Sequence, residues 1–141
     1  MEIDREAYFW QVQDGRKPQP PVGITLGNVL KQVSPDEGTI EIEYDGKLEF
    51  TNPAGNIMGG FLAAMLDSAM GQALSATLGA NEFAPTLNLN ISFLRPAMVG
   101  KFRANGRIVR KGRDVCYLSG ELYQGDELIA TATATALIRK R

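Results

Sequence analysis

Apolar and polar residues alternate strictly from Thr86 to Phe93. Leu87, Leu89, Ile91 and Phe93 fall on one side, and Thr86, Asn88, Asn90 and Ser92 on the other. A period of two predicts a half-buried strand. The same period runs from Thr39 to Tyr44, with Ile40, Ile42 and Tyr44 opposite Glu41 and Glu43. It recurs within Leu128 to Ile138, where Ala130, Ala132, Ala134 and Ala136 alternate with Thr131, Thr133 and Thr135. That strand offers a face of methyl groups on which a helix can lie closely. Phe102 to Val109 and Val115 to Tyr123 also read as strands, and Ile24 to Val33 as the first strand.

The pattern changes from Ile57 to Leu78, which is apolar on nearly every face. This predicts a long helix wrapped on most sides, with Gly79 as a left-handed stop. Residues 4–13 predict a short helix anchored by Tyr8, Phe9 and Trp10, and Lys17 to Val22, with its three prolines, an extended connector. Turn signals stand at 34–38, at Asp45-Gly46, at Gly112-Arg113-Asp114 and at Gln124-Gly125-Asp126. The order is two strands, one long helix and four strands joined by hairpins. It predicts an α+β fold, an antiparallel sheet with one face on the helix. Residues 1–23 form an N-terminal helix and connector, and 24–141 the main domain.

Composition narrows the chemistry. The 141 residues suffice for one domain with a real core, and the net charge of −1 gives no global field for nucleic acid. Residues 1–94 carry 5 basic and 12 acidic residues, and residues 95–141 carry 10 basic and 4 acidic. The basic C-terminal part could bind an anionic small molecule or be a solvated face. There is no histidine, which excludes Ser-His-Asp triads, Cys-His dyads and histidine metal sites within one chain type. The single cysteine, Cys116, leaves no intrachain disulfide and reads as a buried, inert thiol. No metal or cofactor is expected. Met1 to Tyr8 is charged rather than apolar, and the run around Asp67 is broken by Ser68, Gln72, Ser75 and Thr77, so neither a secretory signal nor a membrane span is expected. The expected location is the cytoplasm.

Asp67 is the only charged residue between Phe50 and Asn81. A carboxylate on so apolar a helix is expected to be buried or to line a cavity. Burying it unpaired would cost several kcal/mol or force protonation, so such a group is a candidate for chemistry. A structural Asp bonded to a nearby hydroxyl or backbone group is the alternative.

Three features together resemble the hotdog-fold acyl-CoA thioesterases, in particular the phenylacetate-pathway and 4-hydroxybenzoyl-CoA type. They are the loop Asn52-Pro53-Ala54-Gly55-Asn56-Ile57-Met58-Gly59-Gly60 with Asp67 eight residues after its first paired glycine, the strand from Thr86, and its ending Phe93-Leu94-Arg95-Pro96-Ala97. The resemblance covers roughly residues 24–139. It implies an antiparallel sheet wrapped around one long central helix and an oligomer, a homodimer or homotetramer. In that family a histidine usually precedes the double glycine, and this chain has Met58 there.

The resemblance implies hydrolysis of an acyl-CoA or aryl-CoA thioester. Asp67 would act as general base or nucleophile. Gly59 would offer its amide to the oxyanion from the first turn of the helix, and Gly60 would leave the approach open. Asn52 could orient water or the thioester, or simply form a turn. Thr86 could hold the water, or be an ordinary strand residue. Each site would span two subunits, Asn52 and Gly59 from one, Asp67 and Thr86 from the other. Phe93, Leu94, Arg95 and Pro96, with Arg110, Lys111, Gly112 and Arg113, would line the coenzyme A groove beside Met58 and Gly60. A non-catalytic acyl-CoA-binding or sensor domain is the alternative, motivated by Met58.

Overall fold

The computed structural model describes residues 1–141. Six strands form one antiparallel sheet in the order β1-β2-β5-β6-β7-β4: β1 Val29–Ser34, β2 Thr39–Gly46, β5 Gly100–Lys111, β6 Val115–Gln124, β7 Glu127–Leu137 and β4 Thr86–Phe93. A two-residue pair, β3 Glu82–Phe83 with β8 Arg139–Lys140, stands beside it. The long helix α3, Gly59–Ser75, lies against one face of the sheet. The six main strands, their hairpins and the central helix agree with the sequence pattern.

The helix approaches the sheet most closely over two glycines. Ile40, Gly106, Gly120, Ala132 and Ile91 form one row across β2, β5, β6, β7 and β4. A Cβ on Gly106 would lie 2.7 Å from the Ala69 carbonyl oxygen, and one on Gly120 would lie 3.1 Å from Met70 Cγ. The alanines of β7 are buried as expected, but the tightest helix contact falls on β5 and β6.

Only one side of α3 is packed in this way. Leu62, Met65, Leu66, Ala69, Met70, Ala73 and Leu74 are buried. Ala64, Asp67, Ser68, Gly71 and Gln72 are half-buried and face a cleft. The uniformly apolar pattern therefore overstates the wrapping of the helix within one protomer.

Several boundaries move for identifiable reasons. Ile57 and Met58 stay extended because their amides donate to Ala97 and Phe50, outside the helix. The helix ends at Ser75, where Ala76, Thr77 and Leu78 tighten into turns, and Gly79 does not take a left-handed conformation. The N-terminal helix α1 is Tyr8–Gln13, preceded by a turn on Asp4. The last two residues of the connector and the start of the expected first strand instead form α2, Pro21–Leu26, while Lys17 to Pro20 stay outside it. Pro21 occupies its first turn and Gly27, at φ 66°, its left-handed end. Asp45-Gly46 continues β2 rather than turning, since both residues pair with β5.

Candidate active site

A β-bulge decides where Thr86 points. Thr86 pairs with Ala136 and Asn88 with Thr135, so Leu87 is an extra residue in β4. Beyond it Leu89, Ile91 and Phe93 pair with Ala134, Ala132 and Ala130, the helix-facing alanines. Thr86 therefore shares the helix-facing side with the leucine and isoleucine, and Leu87 is left 57% exposed. Strict alternation assigned both residues to the wrong face.

The Thr86 hydroxyl donates to Asp67 Oδ1 at 2.8 Å. Asp67 is half-buried rather than enclosed. It lines a cleft of about 400 Å³ together with Thr86, a volume in the range of small-ligand sites. Next to it on α3, Ser68 Oγ accepts from Gln72 Nε2 at 3.0 Å and from the buried Tyr44 hydroxyl at 2.8 Å. Burial, reinforced by the nearby Asp67 charge and partly offset by the bond to Ser68, pushes the Tyr44 hydroxyl well above its ordinary range. Tyr44 therefore remains a donor, and this polar chain continues through Gln72 Nε2 to Asn28 Oδ1 at 2.7 Å.

A second groove, of about 440 Å³, lies at the start of α3 and is lined by Asn52, Gly59, Phe93, Leu94, Arg95 and Pro96 among others. Asn52 is a turn former: its Oδ1 accepts from the amides of Ala54 and Asn56 at 3.0 and 3.1 Å. Its side-chain amide makes no bond within the protomer and remains able to donate. Met58 is the N-cap of α3 with no side-chain capping bond, and the Gly59 and Gly60 amides have no acceptor. A Cβ at Gly59 would sit 3.0 Å from Phe93 Cζ, the tip of a half-exposed ring that would have to give by a few tenths of an ångström. Met58 is 48% exposed and folds back toward Gly60, 3.3 Å from where a Cβ would stand.

One protomer thus brings Asp67 to Thr86 and Asn52 to Gly59, but not one pair to the other. Eight residues of helix separate Gly59 from Asp67, about 12 Å along the axis. The cations do not gather either. Arg95 lies by the first turn of α3, 4.0 Å from Glu127 at an exposed site. Lys111 donates to the Thr77 carbonyl just past the last turn, so Arg110, Lys111, Gly112 and Arg113 occupy the opposite end of a 17-residue helix, about 25 Å away. The resemblance implied one groove for these residues, and within one protomer they stand at opposite ends of the helix. Cys116 is buried on β6 as expected, and burial raises the pKa of its thiol.

Sequence reasoning used Ser68 and Gln72 only as breaks in an apolar run and Tyr44 only as a strand residue, and it passed over Asn28, although polar residues at positions 68 and 72 of an apolar helix were a visible signal. It also passed over the N-terminal segment as a wall of the Asp67 cleft.

Residues 54–131 match the family model described as the thioesterase superfamily. The chain belongs to the thioesterase superfamily. Among relatives of this hydrolase, a protein of Saccharolobus solfataricus provisionally named an esterase is 30% identical over 97 residues, 69% of each chain. Another so named, from Halobacterium salinarum, is 36% identical over 93 residues, 64% of this chain and 61% of its own. A crystal structure of a Ralstonia eutropha protein, provisionally described as a thioesterase related to phenylacetic acid degradation, is 45% identical. It covers 92% of this chain and 98% of its own, with a TM-score of 0.91. The superfamily match and this likeness establish the thioesterase hotdog fold, the sheet about a central helix described above. No helix is long and apolar enough to cross a membrane.

Proposed function

We propose that this thioesterase-superfamily chain hydrolyses an acyl-CoA or aryl-CoA thioester to the free acid and coenzyme A. The observation that carries the proposal is the half-buried Asp67 carboxylate, held by Thr86 on the wall of a ligand-sized cleft. The thioester carbonyl accepts from the Gly59 amide, which has no acceptor of its own, at the positive end of α3. Asp67 takes the proton of an attacking water, or attacks the carbonyl itself to form an anhydride that water then opens. In either route the C–S bond breaks and the coenzyme leaves as a thiolate that is then protonated. Thr86 fixes one carboxylate oxygen, and the free Asn52 amide steers water or the thioester. Small aryl or medium acyl groups suit the cleft, in keeping with the description of the R. eutropha relative.

The catalytic unit in this proposal is a homodimer or homotetramer with each site across a subunit interface. Two observations support it. The Gly59 and Asp67 groups are too far apart on one helix to act on one carbonyl. The free edge of β4, with Leu87 and Phe93 more than half exposed, offers a strand for pairing with a second copy. Phe93, Leu94, Arg95 and Pro96 of one subunit and the Arg110–Arg113 hairpin would then border the pantetheine and nucleotide.

The test is thiol release from a panel of acyl- and aryl-CoA esters, comparing wild type with Asp67→Ala. A fall of at least ~100-fold in the variant supports the assignment. Activity unmoved by the substitution places the chemistry elsewhere. Binding of intact thioester without turnover in either protein favours the acyl-CoA-binding module and makes Met58 the residue to explain.

A further inference from the structure

Half of the wall of the Asp67 cleft comes from residues 8–28, outside the segment that matches the superfamily. Tyr8, Val12 and Gln13 reach it from α1, Gln19 and Val22 from around α2, and Asn28 from the start of the sheet. This segment is anchored to α3 and to the turn just beyond its C-terminus. The buried Trp10 donates from Nε1 to the Ala76 carbonyl at 3.0 Å. Gln72 Nε2 donates to Asn28 Oδ1 at 2.7 Å, and Gln19 Nε2 to the Asn28 carbonyl at 3.0 Å. Gln19 packs so closely on Gly23 that a Cβ there would come within 2.9 Å of it. Gln72 also bonds Ser68, the neighbour of Asp67, so the anchor and the carboxylate lie within one and a half turns of helix, about 7.5 Å along the axis.

Resting on the thioesterase reading of Asp67, we propose that residues 8–28 are the acyl-selectivity element of this enzyme, latched over the cleft by the Asn28–Gln72 hydrogen bond. A wall beside the acyl group sets how much of it fits; in a hydrophobic pocket a single methylene is worth about 10- to 200-fold in kcat/KM. The wall is rich in amides: Gln13, Gln19, Asn28 and Gln72 all line it. A long saturated chain would take water from Gln13 and from the amide atoms that these bonds leave free, and return no hydrogen bond. The class of substrate selected is therefore a compact acyl group, not a long alkyl chain.

The experiment measures kcat/KM over a series from acetyl-CoA to palmitoyl-CoA, with aryl-acyl esters alongside, for wild type, Val12→Trp, Gln13→Trp and Asn28→Ala. Wild type is expected to fall off at the long end. In both tryptophan variants the ratio of the best wild-type substrate to acetyl-CoA drops at least ~10-fold, and Asn28→Ala flattens the profile. Gln13 is exposed, so its variant tests the idea even where Val12→Trp fails to fold, as a melting curve would reveal. Tryptophan variants that keep the wild-type ratio, or palmitoyl-CoA as the best substrate, overturn the proposal while leaving the thioesterase reading intact. A wild type that cleaves no thioester at all overturns that reading, and the proposal with it.

Discussion

Thr86 reaches Asp67 because Leu87 is one residue too many for its strand. The extra residue rotates Thr86 onto the helix side of β4 and sets its hydroxyl 2.8 Å from the carboxylate. Thr86→Val keeps the shape and removes the donor. A hydrogen bond to a charged group contributes about 1.5–3 kcal/mol. Thiol release is expected to fall roughly 10- to 100-fold in kcat, with Thr86→Ser recovering most of it; steady-state kinetics on the best substrate checks this.

Gly59→Ala should disturb the proposed oxyanion site by a small displacement, since the backbone donor is kept. The new methyl meets Phe93 at 3.0 Å, so ring or helix terminus must shift. The backbone donor remains, so the expected loss in kcat stays below the ~100-fold of removing one oxyanion donor. Pairing the change with Phe93→Leu, which relieves the contact, should return part of the rate.

Gly106→Ala is a stability prediction. Its Cβ would lie 2.7 Å from the Ala69 carbonyl oxygen, a backbone atom of the central helix that has no side-chain freedom to yield. Overpacking of this kind costs about 1–3 kcal/mol. A lower midpoint of denaturant unfolding with an unchanged slope would show it.

Tyr44 predicts an alkaline limit to stability. Its folded-state pKa lies above the unfolded value because burial disfavours the phenolate. Its contribution is complete below about pH 10, the ordinary tyrosine value, and is lost as pH rises beyond it, since only the unfolded chain releases the proton there. The Cys116 thiol, also raised by burial, adds a loss of the same sign that begins nearer pH 8.5–9. Tyr44→Phe should flatten the melting-temperature profile above about pH 10 while leaving the Cys116 part.

The strands, hairpins and central helix were legible because alternation and apolar runs are local signals. Asp67 was legible for the same reason, as one charge in an apolar run. Most of what escaped depended on partners distant in sequence. Nothing near Leu87 marks it as the bulge, because the register is set by Thr135 and Ala136 on β7. The α2 helix escaped for a different, local reason: three prolines read as an extended connector, although Pro21 in the first turn and Gly27 at the left-handed end bracket a helix. The closeness of Gly106 to α3 needs the row through Ile40 and Gly120, assembled from strands that lie far apart in the chain. The resemblance grouped the cations in one groove, yet within one protomer they sit at opposite ends of a rod.

The separation of Gly59 and Asp67 along α3 has a genetic consequence. If the catalytic unit is the proposed dimer and one carbonyl needs both groups, a chain defective only at Asp67 and a chain defective only at Gly59 can repair each other. Mixed freely in equal amounts, half of the dimers would hold one of each, and every such pair would contain one intact centre and one doubly broken one. Two inactive proteins would then restore about a quarter of full activity upon subunit exchange.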